Sequence, residues 1–499
     1  MSKGRGISVD VSEPEKAWRP DSQYGEVSPT GGEFPRDGEE TVGFWRVATK
    51  TADDNHAERI AEGIPNPFRF HPLKMLMITA KSTSRLSSYT HILLPAIPAG
   101  IVMWYTSRNK SPILVFIFNF IAMIPSGNLL AFGSGELQHR LPKVWGASLE
   151  IFTGAIVEII ICLILLIDRQ FDVVRAALLG SMFANLLLIS GACFLAGGIA
   201  WKEQKIATYV IEVSSAALLV SAVGMVGPSL FFQTIHYRKD VAEHRAEMRV
   251  LRVSRVVSIG LLFSYICFLF FQLHTHSSGF HHVLERAESV YVGKKQYRKK
   301  LSVLEALFIS CVGLVCVSFC AYFLVREIPG IVEEQEVSEL FMGLILVPLI
   351  EKTSEHLTAL NQAWDNQIDL AIYHCLGSTI QTALLVTPLI VMVGWAMNLE
   401  MDLNFQLFVA LSLLFAILVV GNFMRDGKTH WLKGIFLLMV YYVLAVAAFN
   451  DPNEKKEAWG MVVREGVEAA HADHLAHAAG TAAATAAAHL EDKRSLFGF

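Results

Sequence analysis

Apolar runs long enough to cross a bilayer recur along this 499-residue chain, and no other feature restricts its fold so tightly. A helix rises ~1.5 Å per residue and the hydrocarbon layer is ~30 Å thick, so ~20 apolar residues make one crossing. About eleven such runs cover residues 90 to 106, 111 to 133, 148 to 167, 174 to 199, 206 to 233, 252 to 273, 302 to 325, 337 to 360, 369 to 397, 405 to 422 and 430 to 449. Lipid offers backbone groups no water, so such runs must be helices or a closed barrel. Their length and lack of alternation exclude the barrel, which predicts an all-α polytopic membrane protein. Composition agrees: 53% of residues are hydrophobic and 18% charged. The mean hydropathy of +0.42 is too high for a soluble chain of this length.

The polar remainder falls into three parts. Residues 1 to 88, rich in Pro, Gly and charge and without a cleavable signal pattern, are expected to be a disordered cytosolic tail. Residues 274 to 301 read as a basic loop carrying His274, His276, His281 and His282 and ending GKKQYRKK. Residues 451 to 499 are alanine-rich and helix-prone, with His471, His474 and His477 around Asp473. Clustered histidines can bind Zn²⁺ or sense pH, but neither group has a four-ligand spacing, so solvated polar segments are the plainer reading. The seven cysteines all lie in apolar runs and behave as small hydrophobes, which implies no disulfide framework. A net charge of −4 carries no nucleic-acid signal. Six basic residues follow the fifth run and six follow the sixth, on opposite sides, so the positive-inside count does not orient the chain.

An internal repeat points to a site. Residues of the third and fourth runs superpose on the eighth and ninth at a constant offset of 197, with no gap. The offset matches Glu158 with Glu355, Asp172 with Asp369, Leu179-Gly180-Ser181 with Leu376-Gly377-Ser378, and Leu187-Leu188 with Leu384-Leu385. Seven identities at one offset indicate a duplication. A leading helix would precede a first repeat, together residues 89 to 273, and the second repeat would span 302 to 450. Each repeat has five crossings, an odd number, so the copies are inverted. Inverted repeats build secondary transporters, with the ion site at the bilayer midplane where they meet.

Glu158 and Glu355 are the acids deep in their runs. An ionised carboxylate there costs several kcal/mol unless it is paired, protonated or holding a cation, and so marks an ion pathway by default. One such acid could merely bond a neighbouring helix, but a matched pair favours function. Gly180 and Gly377 suit close helix packing as well as a site. Two carboxylates with hydroxyl, amide and backbone oxygens supply what a divalent ion such as Ca²⁺ requires. The same carboxylates hold protons, and that competition is the core of cation/proton exchange.

At these residues the chain resembles the cation/proton exchanger (CAX) family, the vacuolar Ca²⁺/H⁺ antiporters of fungi and plants. The resemblance covers roughly residues 88 to 450 and rests on NFIAMIPSGNLLAFGSGEL, VVRAALLGSMFANLLLISGACFLAGG and EVSELFMGLILVPL followed by SEH, DLAI and LGSTIQTALL. It implies an eleven-span exchanger of the vacuolar membrane with a cytosolic amino terminus, moving Ca²⁺ against protons and needing no resident cofactor. It implies cation-binding roles for Glu158 and Glu355, and ligand roles for Ser181, Ser378 and Gln381.

The sequence departs from the family pattern at the site. Where the family reads GNAVE this chain has Gly154-Ala155-Ile156-Val157-Glu158, and where it reads GNAAEH the chain has Glu351-Lys352-Thr353-Ser354-Glu355-His356. Ala184 replaces a serine of the fourth span, while Asn185 is kept. Glu351, Lys352 and Glu355 can form a charge-paired triad on one helical face. Three readings follow: Ca²⁺/H⁺ exchange with altered affinity, exchange of another cation including monovalent ions, or a transport-inactive scaffold in which Lys352 is a tethered surrogate cation. No selectivity-filter repeat suggests a channel, and no nucleophile-and-base or HExxH motif suggests an enzyme.

Overall fold

The computed structural model describes residues 91–107, 111–138, 140–236, 243–291, 301–335 and 337–452. The two polar tails and the basic stretch 292–300 lie outside the described residues, and with them most of the readings made there.

Among the described residues, nine helices are long and apolar enough to cross a membrane. They are the second span Pro112–Gln138, the third Lys143–Ile167, the fourth Phe171–Trp201, the fifth Thr208–Ile235, the sixth Arg245–Thr275, the seventh Val303–Glu334, the ninth Ile368–Ala396, the tenth Leu407–Met424 and the eleventh Trp431–Phe449. Two expected crossings differ. The leading run forms a 3₁₀ turn, His91–Leu93, and a helix, Ala96–Ser107, of only 12 residues. At ~1.5 Å per residue that helix reaches about 18 Å, short of the hydrocarbon thickness. The eighth span is not one helix. It starts at Glu339, runs through a π turn, Met342–Leu346, to Val347–Glu351, turns at Lys352, and resumes as Thr353–Trp364. Residues 274 to 301, expected as a loop, contain a helix, Ser277–Tyr291. Its Phe280 is buried against Tyr209, Phe271 and Tyr373, so an apolar face rather than charge holds it in place.

The fourth and ninth spans are the most enclosed, with 83% and 72% of their apolar windows buried against 22% for the sixth. They form the centre of the bundle, and the sixth turns Val256, Phe263, Ile266 and Phe270 outward where lipid would lie. The second and seventh spans pack antiparallel, with Gly133 against Ser310 and Gly313 against Leu130. At one end, the connections after the fourth and tenth spans join as an antiparallel ribbon, Gln204 opposite Thr429 and Lys205 opposite Lys428.

The duplication is visible in the backbone. Arg169 (φ 59) and Asn366 (φ 63), 197 residues apart, hold the left-handed conformation between the third and fourth and between the eighth and ninth spans. Both central spans carry a π turn, Ala184–Ile189 and Thr382–Val386. In each, a hydroxyl bonds a carbonyl five residues back: Ser190 to Asn185 (2.9 Å) and Thr387 to Thr382 (2.8 Å), again 197 apart. A π turn frees backbone carbonyls from the helical ladder and often marks a functional site.

Candidate cation site

The elements meet where the third and eighth spans cross. Glu158 sits mid-helix in the third span and is 1% exposed. Glu355 comes from the first turn of Thr353–Trp364, where the free backbone N–H groups of a helix start favour a negative charge. Pro348 and the turn at Lys352 interrupt the eighth span just before it, so the chain swings Glu351 and Lys352 inward together.

The Lys352 ammonium lies among three carboxylates. Its Nζ is 3.3 Å from Glu158 Oε2, 3.5 Å from Glu351 Oε1 and 3.8 Å from Glu355 Oε1, with the lysine side chain only 1% exposed. Thr382 completes one side, donating its hydroxyl to Glu158 Oε2 at 2.7 Å. On the other side His374 Nε2 stands 3.6 Å from Glu355 Oε2. Gly154 leaves room for the Glu355 carboxylate: a Cβ there would lie 1.9 Å from Glu355 Oε1. Gly154 is the repeat equivalent of Glu351, and Ala155, also buried, is the equivalent of Lys352. The triad expected from spacing thus forms, and Glu158 joins it from the other repeat.

The remaining sequence-selected residues gather less tightly. Asn185 Nδ2 donates to Ser378 Oγ at 3.2 Å, joining the two central spans. Gly180 packs on the eighth span, where a Cβ would meet the Leu344 carbonyl at 2.2 Å, and Gly377 packs on Ile151. Ser181, Gln381 and His356 are buried, and Ser181 Oγ, both amide atoms of Gln381 and His356 Nε2 lack hydrogen-bond partners. Glu158 Oε1 lacks one as well, while Glu351 Oε1 and Glu355 Oε2 make only the longer ion-pair contacts to Lys352 and His374. Buried polar atoms are ordinarily paired, so this collection of unsatisfied oxygens suits a cation or protons.

A small pocket borders the cluster, lined by Ser134, Glu150, Thr153, Thr358, Glu351 and Glu355 among others. Glu355 is reached from it, its side chain being 15% exposed against 2% for Glu158. Sequence reasoning missed Glu150, His374 and Thr382. Thr382 was within reach of it, because the offset of 197 makes it the equivalent of Asn185. Glu150 lies two turns before Glu158 on the same helical face, a spacing that an interest in deep acids alone passes over.

The model of the sodium/calcium exchanger protein family matches residues 111–274 and 305–450. A vacuolar calcium ion transporter of Schizosaccharomyces pombe is 33% identical over 383 residues, covering 76% of this chain and 89% of that one. Vacuolar cation/proton exchanger 5 of Arabidopsis thaliana is 29% identical over 374 residues, 74% of this chain and 83% of its own. Among solved structures, native YfkE superposes with a TM-score of 0.60 at 23% identity, covering 72% of this chain and 99% of that one. At that identity the match speaks for the fold.

Proposed function

The chain belongs to the sodium/calcium exchanger protein family, and from that premise we propose that it exchanges Ca²⁺ for H⁺ across the vacuolar membrane by alternating access, with its amino terminus in the cytosol. One observation carries the reading: Glu158 and Glu355, equivalent residues of two inverted repeats, converge on the same buried positive charge at 3.3 and 3.8 Å. A pocket that holds an ammonium between two such carboxylates is built for a cation. The names of its relatives, a vacuolar calcium ion transporter and a vacuolar cation/proton exchanger, supply the cargo and the compartment.

The division of labour follows from position. Glu158 and Glu355 hold either the cation or protons, so binding one releases the other. Thr382 fixes the Glu158 carboxylate, and Gly154 leaves room for Glu355 to reach the crossing. Ser181, Ser378 and Gln381 offer neutral oxygens from the central spans. The pocket past Glu150 is the route from one membrane face. Ca²⁺ and protons are cargo, and no resident cofactor takes part.

Proton-driven ⁴⁵Ca²⁺ uptake into vesicles, with Na⁺, K⁺ and Mn²⁺ as competitors and Glu355→Gln as control, tests the proposal. Ca²⁺ uptake that collapses in the control is the expected result. Uptake of a competitor in place of Ca²⁺ would reassign the cargo. A second reading draws on the buried Lys352, which stands where the family pattern has an asparagine: a locked, non-transporting bundle. It predicts no uptake of any cation, with the control indistinguishable from wild type.

A further inference from the structure

The charges at the crossing sort into two pairs. Glu158 and Glu355 belong to the repeat symmetry, sum to −2 and would be neutralised by one divalent ion. Glu351 and Lys352 have no charged equivalents in the first repeat, where Gly154 and Ala155 stand, and sum to zero. A lysine placed for packing would be matched by one acid, because uncompensated buried charge is costly. Here one ammonium serves three carboxylates. These three carboxylates and one ammonium sum to −2, the charge that one divalent ion neutralises.

We propose that Lys352 is the protein's own displaceable occupant of the cation site and that Glu351 is where it withdraws: the transported cation takes the place between Glu158 and Glu355 as the Lys352 ammonium moves onto Glu351. This deepens, and rests on, the exchanger reading above. The movement is small. Nζ bonds Glu158 Oε2 at 3.3 Å, while Glu351 Oε1 stands 3.5 Å away with no hydrogen-bond partner. Rotation of a four-carbon stem exchanges one bond for the other, and lysine is a compact charge on a flexible stem. With the ammonium on Glu351 and a divalent ion between Glu158 and Glu355, both pairs are neutral. With the ammonium returned, the emptied site keeps a counter-charge. Lys352 thus competes with cargo and sets how much cation is needed to load the site.

The experiment compares four proteins in proteoliposomes under a fixed proton gradient: wild type, Lys352→Ala, Glu351→Gln and the double variant. Lys352→Ala copies the residue of the first repeat. It should lower the half-saturating Ca²⁺ by about tenfold. Glu351→Gln, which removes the place of withdrawal, should raise it by about tenfold, and adding Lys352→Ala should abolish that rise. An unchanged half-saturating Ca²⁺ in Lys352→Ala, or the same Glu351→Gln effect in both backgrounds, would overturn the proposal. Ca²⁺-dependent melting of the purified proteins separates binding from transport. A melting shift that begins at lower Ca²⁺ in Lys352→Ala than in wild type, without uptake in any of the four, would uphold the occupant and refute the exchanger. Equal shifts would refute the occupant. Lys352→Gln, which keeps the stem and removes the charge, takes the place of the alanine variant should that one not fold.

Discussion

The third and eighth spans carry equivalent glutamates but are built differently. The third is one unbroken helix, Lys143–Ile167, with the small pair Gly154-Ala155 at the crossing. The eighth is interrupted at Lys352 and brings Glu351 and Lys352 to the same level. The third span yields space, which Glu355 fills, and the eighth yields charge. Around them the symmetry is better kept. Asp369, at the start of the ninth span, accepts the backbone N–H of Ala207 at 2.7 Å. At the start of the fourth, Asp172 pairs with Arg175, which also pairs with Asp402 beyond the ninth span. Each central span is thus anchored to the connection leaving the other. The scaffold stayed symmetric while the site diverged, as expected where rigid elements carry and a few side chains act.

Substitutions at equivalent positions test that division. The largest effect is expected at Gly154→Ala, whose methyl meets the flexible end of Glu355 rather than backbone. Uptake should fall about a hundredfold, since small misplacement of a site group is costly, while the melting temperature barely moves. A melting temperature that falls with uptake would make Gly154 a packing residue only. Next come the paired glycines of the central spans. Gly180→Ala forces a methyl against the Leu344 carbonyl and should cost about 1–3 kcal/mol of stability. Gly377→Ala meets only the tip of Ile151 and should melt close to wild type. Equal losses would show that the contacts do not set the cost.

Thr382→Val removes the 2.7 Å bond to Glu158. A hydrogen bond to a charged group is worth about 1.5–3 kcal/mol, so half-saturating Ca²⁺ should rise about tenfold or more. Asn185→Ala, at the equivalent position but bonded to Ser378, should change it less. The smallest effect is expected at Glu150→Gln in the pocket wall, about a threefold rise that fades at high ionic strength. A rise that persists in high salt would place Glu150 in the binding set instead.

Much of this was legible in the sequence, because hydropathy and a gapless offset are both one-dimensional signals. Nine of the crossings and the two glutamates needed nothing more. Lys352 was recognisable as a charge near Glu355, but its convergence on Glu158, 194 residues away, depends on how the third and eighth spans cross. The break at Lys352 has no glycine to announce it, and the residues on both sides form helix. His374 reads as one polar residue in an apolar run until the ninth span is laid beside Glu355. The helix Ser277–Tyr291 was hidden by its charge, which obscured the face carrying Phe280.

The two matched π turns also separate what the copies share from what one copy has alone. A π turn places one residue more in a turn than an α turn does, and so shifts the helix beyond it against the helix before. Those of the fourth and ninth spans sit in register within a gapless repeat, so they belong to the repeated scaffold. The turn Met342–Leu346 has no counterpart in the third span. The irregularity shared by both copies therefore marks the two central spans, and an unshared one lies in the span that carries the lysine.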